Sequence, residues 1–447
     1  MPSADPASCV ICVDFGSTFT KASLVDLAVG RIVAAAEHRT TIESDVLDGY
    51  DACLAALDEQ DARAAGAEVL ACSSAGGGLR IAVVGNEELV TAEAGRRVAL
   101  SSGGKVVGVY AAGRGDDLTR VTDSDPDVVL LTGGTDGGNH EPILACARAL
   151  APVWQGPVVV AGIVEAQGEV AEILAHHPIV VAPNIVPRIG VLAPEGARTA
   201  IRELFLSHVI GGKHLSSRAD FVAMVQGATP DVVLTGVELL AEVAGDTVVV
   251  DVGGATTDVH SVVELDPEDA GLSREVVATT RVTRTVEGDL GMRWSAVTTV
   301  EAADRADLAA AAVRRREDVG FVPGSAAELD LDEEIARAAV GLALRRHAGR
   351  SKVVVSPEGR VVERTGKDLR EVDLLVGSGG VLRHGRPGVA ERVFAGSLGE
   401  VDGGWQLPRR AQVTVDEQYV LAAAGLLAVR HPAAARLLVG RMAAHTA

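Results

Sequence analysis

Aromatic residues are scarce in this chain of 447 residues: they make up 3% of the sequence, against 47% for hydrophobic residues as a whole. We therefore expect cores built from Val, Leu, Ile and Ala. A chain of this length exceeds what one compact core usually serves, so we expect two or more domains.

Basic charge is also in short supply. Lys and Arg number 41 against 61 for Asp and Glu, which gives a formal net charge of −20. A nucleic-acid partner needs a basic surface that neutralises its phosphates. The composition therefore argues against nucleic acid as a partner.

Membrane and export signals are missing as well. No apolar run reaches the length of about 18 residues that a membrane span needs. The first ten residues contain no basic stretch followed by an apolar one, as a signal peptide would. The five cysteines are odd in number and scattered, which is typical of a reducing compartment. We expect a cytoplasmic protein without a membrane span.

Two common nucleotide-binding motifs are absent. Gly104-Lys105 is followed by Val106 and Gly212-Lys213 by His214, so neither pair belongs to a Walker A loop. No Gly-x-Gly-x-x-Gly opens the first helix, which argues against a Rossmann dinucleotide site.

What the chain does have is a pair of similar turns. They read Val-Asp14-Phe-Gly16-Ser17-Thr18-Phe-Thr20-Lys21 and Val-Asp251-Val-Gly253-Gly254-Ala-Thr256-Thr257-Asp258. Each follows a short β-branched run and continues into another apolar run, which predicts a β-hairpin with a tight turn. Glycine lets the main chain approach a ligand closely, and amides and hydroxyls are donors for phosphate oxygens. The pair indicates a two-part phosphate clamp.

Each residue of the clamp has a predicted part. Asp14 and Asp251 would hold hydrated Mg²⁺ from opposite lobes, because Mg²⁺ keeps much of its water and takes one or two carboxylates. Two groups of residues would bind phosphate oxygens through amides and hydroxyls: Gly16, Ser17 and Thr18; and Gly253, Gly254, Thr256 and Thr257. Two alternatives stay open for Lys21, which either reaches a phosphate or points to solvent.

The remaining elements have a recognisable order. Short apolar strands alternate with helical stretches over about 70–210, which predicts βαβ units and a parallel sheet. A helix is predicted at 231–244, directly before the second hairpin. Asp373 begins a strand that ends in Gly377-Ser-Gly379-Gly380, and two helices follow at 416–429 and 432–444.

This order resembles that of the actin, Hsp70 and sugar-kinase ATPase superfamily. Residues 11–25 and 248–262 are similar to its two phosphate loops, 231–244 and 416–429 to its connecting helices, and 373–385 to its adenosine motif. The resemblance implies an α/β, two-lobed fold made of duplicated ribonuclease H-like domains. The lobes would be 1–230 and 231–447, with an expanded α/β region in the first.

Within the superfamily the chain most resembles the MutL (GlmL) proteins associated with glutamate mutase, which are unrelated to the mismatch-repair protein of that name. The similar stretches are Asp14–Lys21, Cys72–Leu79, Leu-Leu-Thr-Gly-Gly-Thr-Asp-Gly-Gly at 130–138 and Thr-Val-Glu-Gly-Asp-Leu-Gly-Met at 285–292. The resemblance implies an ATP-hydrolysing reactivating factor, a chaperone-like protein that releases damaged cobalamin from an adenosylcobalamin-dependent mutase.

The same resemblance extends the site. It implies that Asp258 either orients the attacking water or makes a supporting contact behind the site. It also implies that Gly377, Gly379 and Gly380 let adenosine lie against the backbone, the alternative being an ordinary turn at the end of a strand. The implied cofactors are ATP or ADP and Mg²⁺. The implied partners are the subunits of the mutase.

Alternatives remain at this stage. The same fold serves small-molecule kinases and scaffold proteins whose assembly depends on ATP. The turns at 132–138 and 76–78 either bind an anion at a helix N-terminus or simply connect a strand to a helix.

Overall fold

The computed structural model describes residues 6–111, 117–265, 280–356, 359–400 and 402–444. They divide into two compact units. The first comprises Met1–Gly236 and Leu421–Leu438, and the second comprises Val237–Glu275, Thr279–Val420 and Val439–Ala447. The lobe boundary at residues 230 and 231 stays a prediction.

The strands lie throughout the chain. Their bounds are β1 Cys9–Phe15, β2 Phe19–Asp26, β3 Arg31–Arg39, β4 Glu68–Ser73, β5 Arg80–Gly85, β6 Lys105–Ala111, β7 Val128–Leu131, β8 Val158–Val160, β9 Ile179–Val181, β10 Val225–Ala228, β11 Thr247–Val252, β12 Thr257–Val262, β13 Val282–Glu287, β14 Arg350–Ser356, β15 Gly359–Thr365, β16 Leu374–Ser378 and β17 Gln412–Val415.

The helices connect and cover these strands. Their bounds are α1 Val46–Gln60, α2 Glu93–Ser101, α3 Glu141–Leu150, α4 Gln167–Ile173, α5 Glu195–Leu204, α6 Ile210–Gly212, α7 Ala219–Met224, α8 Thr229–Ala244, α9 Ala296–Ala302, α10 Ala309–Glu317, α11 Ala326–His347, α12 Gly380–Arg383, α13 Val389–Phe394, α14 Val420–Arg430 and α15 Pro432–Ala444. Two π-helical turns, Glu88–Ala92 and Phe205–Val209, precede α2 and α6.

Each unit contains a sheet of the same design. In the first unit the order is β3-β2-β1-β4-β10, with β1, β2 and β3 antiparallel and β4 and β10 parallel to β1. In the second it is β13-β12-β11-β16-β17, with the same directions. An antiparallel meander joined to two parallel strands therefore occurs twice, which confirms the predicted duplicated ribonuclease H-like fold.

The first unit also holds an insertion between the fourth and fifth strands of its sheet. The order of this inserted sheet is β6-β5-β7-β8-β9, and every pair in it is parallel. Strands β7 and β8 and residues 81–84 of β5 are buried runs of Val, Leu, Ile and Ala, as a sheet covered by helices on both faces requires. The predicted α/β expansion in the first half is confirmed.

Side-chain caps fix the starts of two long helices. The Asp45 carboxylate accepts a hydrogen bond from the Leu47 amide at α1, and the Ser325 hydroxyl accepts one from the Glu328 amide at α11. Such caps satisfy amides that have no partner inside the helix. These helices cover the sheets of the first and second units respectively.

Helices α8 and α14 each carry a boundary between the units, at 236/237 and at 420/421. The residues of the first unit in these helices pack backbone to backbone. A Cβ placed on Gly236 would lie 2.1 Å from the Leu421 carbonyl oxygen, and one on Gly425 would lie 2.0 Å from the Val232 carbonyl oxygen. Only glycine permits an approach this close.

Among the described residues, none of the helices combines the length and the apolar character that crossing a membrane would need.

Candidate functional site: two equivalent hairpins

The first predicted turn is a hairpin between β1 and β2. The Gly16 amide donates to the Phe19 carbonyl at 3.1 Å, and Asp14 lies opposite Lys21 in the strand register. A Cβ on Gly16 would stand 2.6 Å from the Phe19 oxygen, so this turn requires glycine. Ser17 and Thr18 are exposed at its tip. The hairpin therefore presents main chain and hydroxyls, as predicted.

Asp14 lies at the end of β1 among polar neighbours. Its Oδ1 accepts a hydrogen bond from the Thr229 hydroxyl at 2.6 Å, and its Oδ2 lies 3.9 Å from Lys21 Nζ. The Cys72 thiol lies 3.6 Å from Oδ1. Burial and the Asp14 carboxylate raise the pKa of Cys72 well above its ordinary value. Cys72 therefore stays protonated at neutral pH.

Thr40 fixes the first hairpin from behind. Its hydroxyl donates to the Gly16 carbonyl at 2.8 Å, and its amide donates to the Thr18 carbonyl at 2.9 Å. The ring of Phe15 anchors the base of the turn, since it is fully buried and meets Phe221 edge-on with centroids 5.2 Å apart. The tip of the turn is thus held by its carbonyls.

The second predicted turn is closed by the same main-chain hydrogen bond as the first. The Gly253 amide donates to the Thr256 carbonyl at 2.8 Å, and Asp251 lies opposite Asp258. Asp251 and Asp14 thus hold equivalent positions, as do Asp258 and Lys21. Thr257 is fully buried, and its hydroxyl donates to the Leu290 carbonyl at 3.1 Å, so it ties the hairpin to its support.

That support consists of residues 287–295, which begin at the last residue of β13. We call this stretch the brace segment. The Met292 amide donates to the Gly253 carbonyl at 3.0 Å and the Arg293 amide to the Gly254 carbonyl at 2.8 Å. The Ser295 hydroxyl donates to the Ala255 carbonyl at 2.6 Å. Three successive carbonyls of the turn are therefore held on one side.

The orientation of these carbonyls decides where the amides of the turn point. In a trans peptide the C=O of one residue and the N–H of the next are antiparallel. The amides of Gly254, Ala255 and Thr256 accordingly point away from the brace segment, and no acceptor for them exists among the described residues. Successive amides of this kind form an anion-binding concavity.

Asp258 lies across the hairpin from Asp251. Its Oδ2 accepts from Arg284 Nη2 at 3.1 Å, and Arg284 is only 4% exposed. Its Oδ1 is buried, and no described residue donates to it. Burial and Arg284 lower the pKa of the neighbouring His260 well below its ordinary value. His260 is therefore neutral, and Asp258 has an acceptor oxygen to spare.

The predicted adenosine turn packs on the base of the second hairpin. Gly379 has φ of 102°, and a Cβ there would lie 2.2 Å from the Val252 carbonyl oxygen. Gly377 faces the core, since its Cβ would meet Leu382 at 2.7 Å, whereas nothing lies within 4 Å of one on Gly380. The turn therefore leaves open space beside Gly380.

Side chains from two neighbouring loops hydrogen-bond to the Gly-rich turn at 132–138 and close it. The Asn184 amide group donates to the Gly134 carbonyl at 3.0 Å and to Asp136 at 2.8 Å, and Glu165 accepts from the Gly137 amide at 3.0 Å. These contacts tie the loops that follow β7, β8 and β9 together. At 76–78 a 3-10 turn, Ala75–Gly77, links β4 to β5.

The structure brings the predicted residues together within each unit. Asp14, Gly16, Ser17, Thr18 and Lys21 share the first hairpin. The second hairpin holds the matching set: Asp251, Gly253, Gly254, Thr256, Thr257 and Asp258. Sequence reasoning missed the supporting side chains, which are Thr40, Thr229, Arg284 and Ser295. The similarity of 285–292 to a known family marked part of the brace segment but gave no reason for it.

Comparison with known proteins agrees with these features. The family model described as MutL protein matches residues 10–442. Protein MutL of Clostridium tetanomorphum is 37% identical over 443 residues, which cover 93% of this chain and 95% of that protein.

Solved structures are more distant. The nucleotide-free structure of acetone carboxylase is 16% identical with a TM-score of 0.34, over 75% of this chain and 62% of that one, so this chain spans less than two thirds of its length. Ethanolamine utilization protein EutJ from Carboxydothermus hydrogenoformans is 11% identical with a TM-score of 0.30, over 93% of this chain and 88% of that one. The family match runs through both hairpins and nearly the whole chain, and the resemblance read from the motifs is confirmed: the chain belongs to the MutL protein family.

Proposed function

We propose that the chain binds and hydrolyses Mg-ATP at its two hairpins. The observation that carries this proposal is the row of three amides at Gly254, Ala255 and Thr256, which point the same way and have no acceptor among the described residues. Asp258 Oδ1, on the same hairpin, is buried and has no donor among the described residues. A buried polar atom without a partner is rare in a folded protein and calls for a ligand or water.

Magnesium and nucleotide fit the residues present. Asp14 and Asp251 would hold hydrated Mg²⁺, which supplies charge neutralisation at the phosphates. The amides of Ser17 and Thr18 in one hairpin, and of Gly254 to Thr256 in the other, would bind phosphate oxygens. The open side of Gly380 would admit adenosine, because a side chain there would fill the space.

Hydrolysis needs an acceptor that orients water. In our proposal Asp258 does this through Oδ1, while the bond from Arg284 to Oδ2 holds the carboxylate in place. Phosphoryl transfer depends mainly on positioning and on neutralising charge, so amides, a metal and one oriented water suffice. Lys21, in the equivalent position of the first hairpin, would reach a phosphate rather than water.

Membership of the MutL protein family supports a partner as well. We propose that the chain is a reactivating factor for an adenosylcobalamin-dependent mutase of the glutamate mutase type. ATP binding and hydrolysis would shift the populations of its conformations, and the mutase would respond by releasing damaged cobalamin. The proposed setting is the cytoplasm.

A reactivation assay tests this role. A purified mutase is inactivated with a cobalamin analogue and then incubated with this protein, ATP, Mg²⁺ and fresh coenzyme. We expect activity to return, and to return less when ATP is replaced by ADP. If activity stays lost, the reactivating role is wrong. A metabolite that becomes phosphorylated in a parallel incubation would identify a kinase instead.

A further inference from the structure

Of the three brace-segment donors to the carbonyls of the second turn, Met292 and Arg293 donate through their amides and Ser295 through its side chain. Its hydroxyl donates to the Ala255 carbonyl at 2.6 Å and lies 3.1 Å from the Gly288 carbonyl, so it joins the tip of the turn to the start of the brace segment. The Ala255–Thr256 peptide is the last of the three in the row. Among the described residues this hydroxyl is the donor to the carbonyl of that peptide, and it thus helps to set the direction of the Thr256 amide.

The brace segment is itself held from the inside of the second unit. Thr299, fully buried, accepts from the Gly291 amide at 2.7 Å and lies 3.1 Å from the Gly291 carbonyl. Arg293 Nη2 donates to Asp332 on α11 at 3.0 Å and to the Phe321 carbonyl at 3.0 Å. Asp332 also accepts from the fully buried Arg315 at 2.5 Å. The segment is therefore fixed to the core at Gly291 and at Arg293.

Between Arg293 and Ser295 the segment exposes an aromatic residue. Trp294 is 64% exposed, while the residues on each side bond to consecutive carbonyls of the turn. A change in the turn would therefore alter a bond on each side of Trp294, one to the Arg293 amide and one to the Ser295 hydroxyl. The other two tryptophans, Trp154 and Trp405, are partly buried elsewhere.

We propose that Ser295 is a positioning residue for phosphate, which turns the Thr256 amide toward the nucleotide, and that phosphate binding is transmitted through the brace segment to Trp294. This inference rests on the proposed binding of ATP. It predicts that phosphate, and not the nucleoside, is what the brace segment senses.

The test uses the full chain and compares ATP with adenosine. We expect Ser295→Ala to weaken the affinity for Mg-ATP about 3- to 10-fold, the effect of one lost hydrogen bond, with the affinity for adenosine unchanged. Ser295→Thr, which keeps the hydroxyl, should restore the wild-type affinity. Thr298→Ala is the matched control, because Thr298 bonds to Asp289 and Ser295 within the same stretch but does not touch the turn.

A second measurement needs no change at Ser295. Mg-ATP should alter the tryptophan fluorescence of the wild-type chain, adenosine should not, and the change should vanish in Trp294→Phe while ATP affinity is retained. If Ser295→Ala loses affinity for ATP and adenosine equally, or the signal persists in Trp294→Phe, the inference is wrong. A wild-type chain that binds no ATP at all overturns the proposed function and this inference with it; normal ATP binding by Ser295→Ala overturns the inference alone.

Discussion

The two hairpins share one backbone and differ in their side chains. Both close with an amide-to-carbonyl bond between the first glycine and the residue three positions on, and both begin with an aspartate. At the position opposite that aspartate the first has Lys21 and the second has Asp258. The tip is Ser17-Thr18 in one and Gly254-Ala255 in the other.

Their supports differ in the same way. The first hairpin is held by Thr40, which directly follows its own third strand, and the second by the brace segment after β13. The main-chain hydrogen bond that closes the turn is thus the same in both hairpins. The charge opposite the aspartate differs, and in the proposed function Lys21 reaches a phosphate while Asp258 orients water.

Substitution of the residue opposite the aspartate should have the largest effect, and that effect should be on ATP turnover. We expect Asp258→Asn to lower ATP turnover about 100-fold, because an amide orients water poorly, while Asn still offers an oxygen to Arg284. Lys21→Met should change affinity but lower turnover far less. Steady-state kinetics of both variants measure this, and equal losses of turnover would refute the proposed division of labour.

The equivalent aspartates should behave alike. We expect Asp14→Ala and Asp251→Ala each to weaken Mg-ATP binding about 10- to 100-fold, the usual effect of losing a residue that holds a metal through its water. Thermal unfolding should show that both variants remain folded. Asp58→Ala, at an exposed site on α1, is the control. Unchanged calorimetric affinity in both variants would contradict the assignment.

Replacing the two glycines of the second turn by alanine should affect stability to different extents. A Cβ on Gly253 would lie 2.9 Å from the Thr256 carbonyl oxygen, whereas one on Gly254 would lie 3.7 Å from Arg293. We therefore expect Gly253→Ala to reduce the free energy of unfolding by about 1–3 kcal/mol, and Gly254→Ala to leave it nearly unchanged. Urea titrations compare the two; a reversed order would show that the turn has a different geometry in solution.

Substitution of Thr40, which supports the first hairpin, should have the smallest effect on stability and on affinity. Thr40→Val removes the hydroxyl that donates to the Gly16 carbonyl but keeps the shape of the side chain. We expect a loss of about 0.5–1.5 kcal/mol in the free energy of unfolding and a slightly weaker affinity for Mg-ATP. Thr41→Val is a neighbouring control, since Thr41 bonds to Asp45 and Gly49 instead. Because Thr41→Val also loses hydrogen bonds, the comparison is made on affinity: equal effects of the two variants on Mg-ATP affinity would show that Thr40 has no special part in the hairpin.

Local patterns in the sequence predicted most of the fold. Strands β1 and β2 and the helix at 231–244 follow directly from β-branched runs and apolar periodicity. Strand β5, the centre of the inserted sheet, was not predicted, because Arg80-Ile-Ala-Val-Val-Gly85 is short and follows a run of glycines. The edge strands β10 and β17, of four residues each, are set by pairing with distant strands rather than by their own pattern.

The site shows the same limit. Glycine, aspartate and hydroxyl residues in a fixed order predicted both turns, since the requirement for glycine is local. Arg284 and Thr229 meet Asp258 and Asp14 only through pairing between strands and packing of a helix, over separations of 26 and 215 residues. No pattern within either turn indicates those partners. A single sequence therefore predicts the main chain of such a site better than its supporting side chains.

Calorimetric titration of the full chain with ATP, in the presence and absence of Mg²⁺, tests the central claim most directly. We predict that one nucleotide binds per chain, that removing Mg²⁺ weakens the binding, and that Asp251→Ala binds equally weakly whether or not Mg²⁺ is present. A wild-type chain that releases no heat with ATP, or an Asp251→Ala chain that still responds fully to Mg²⁺, would contradict the assignment of the hairpins as the Mg-ATP site.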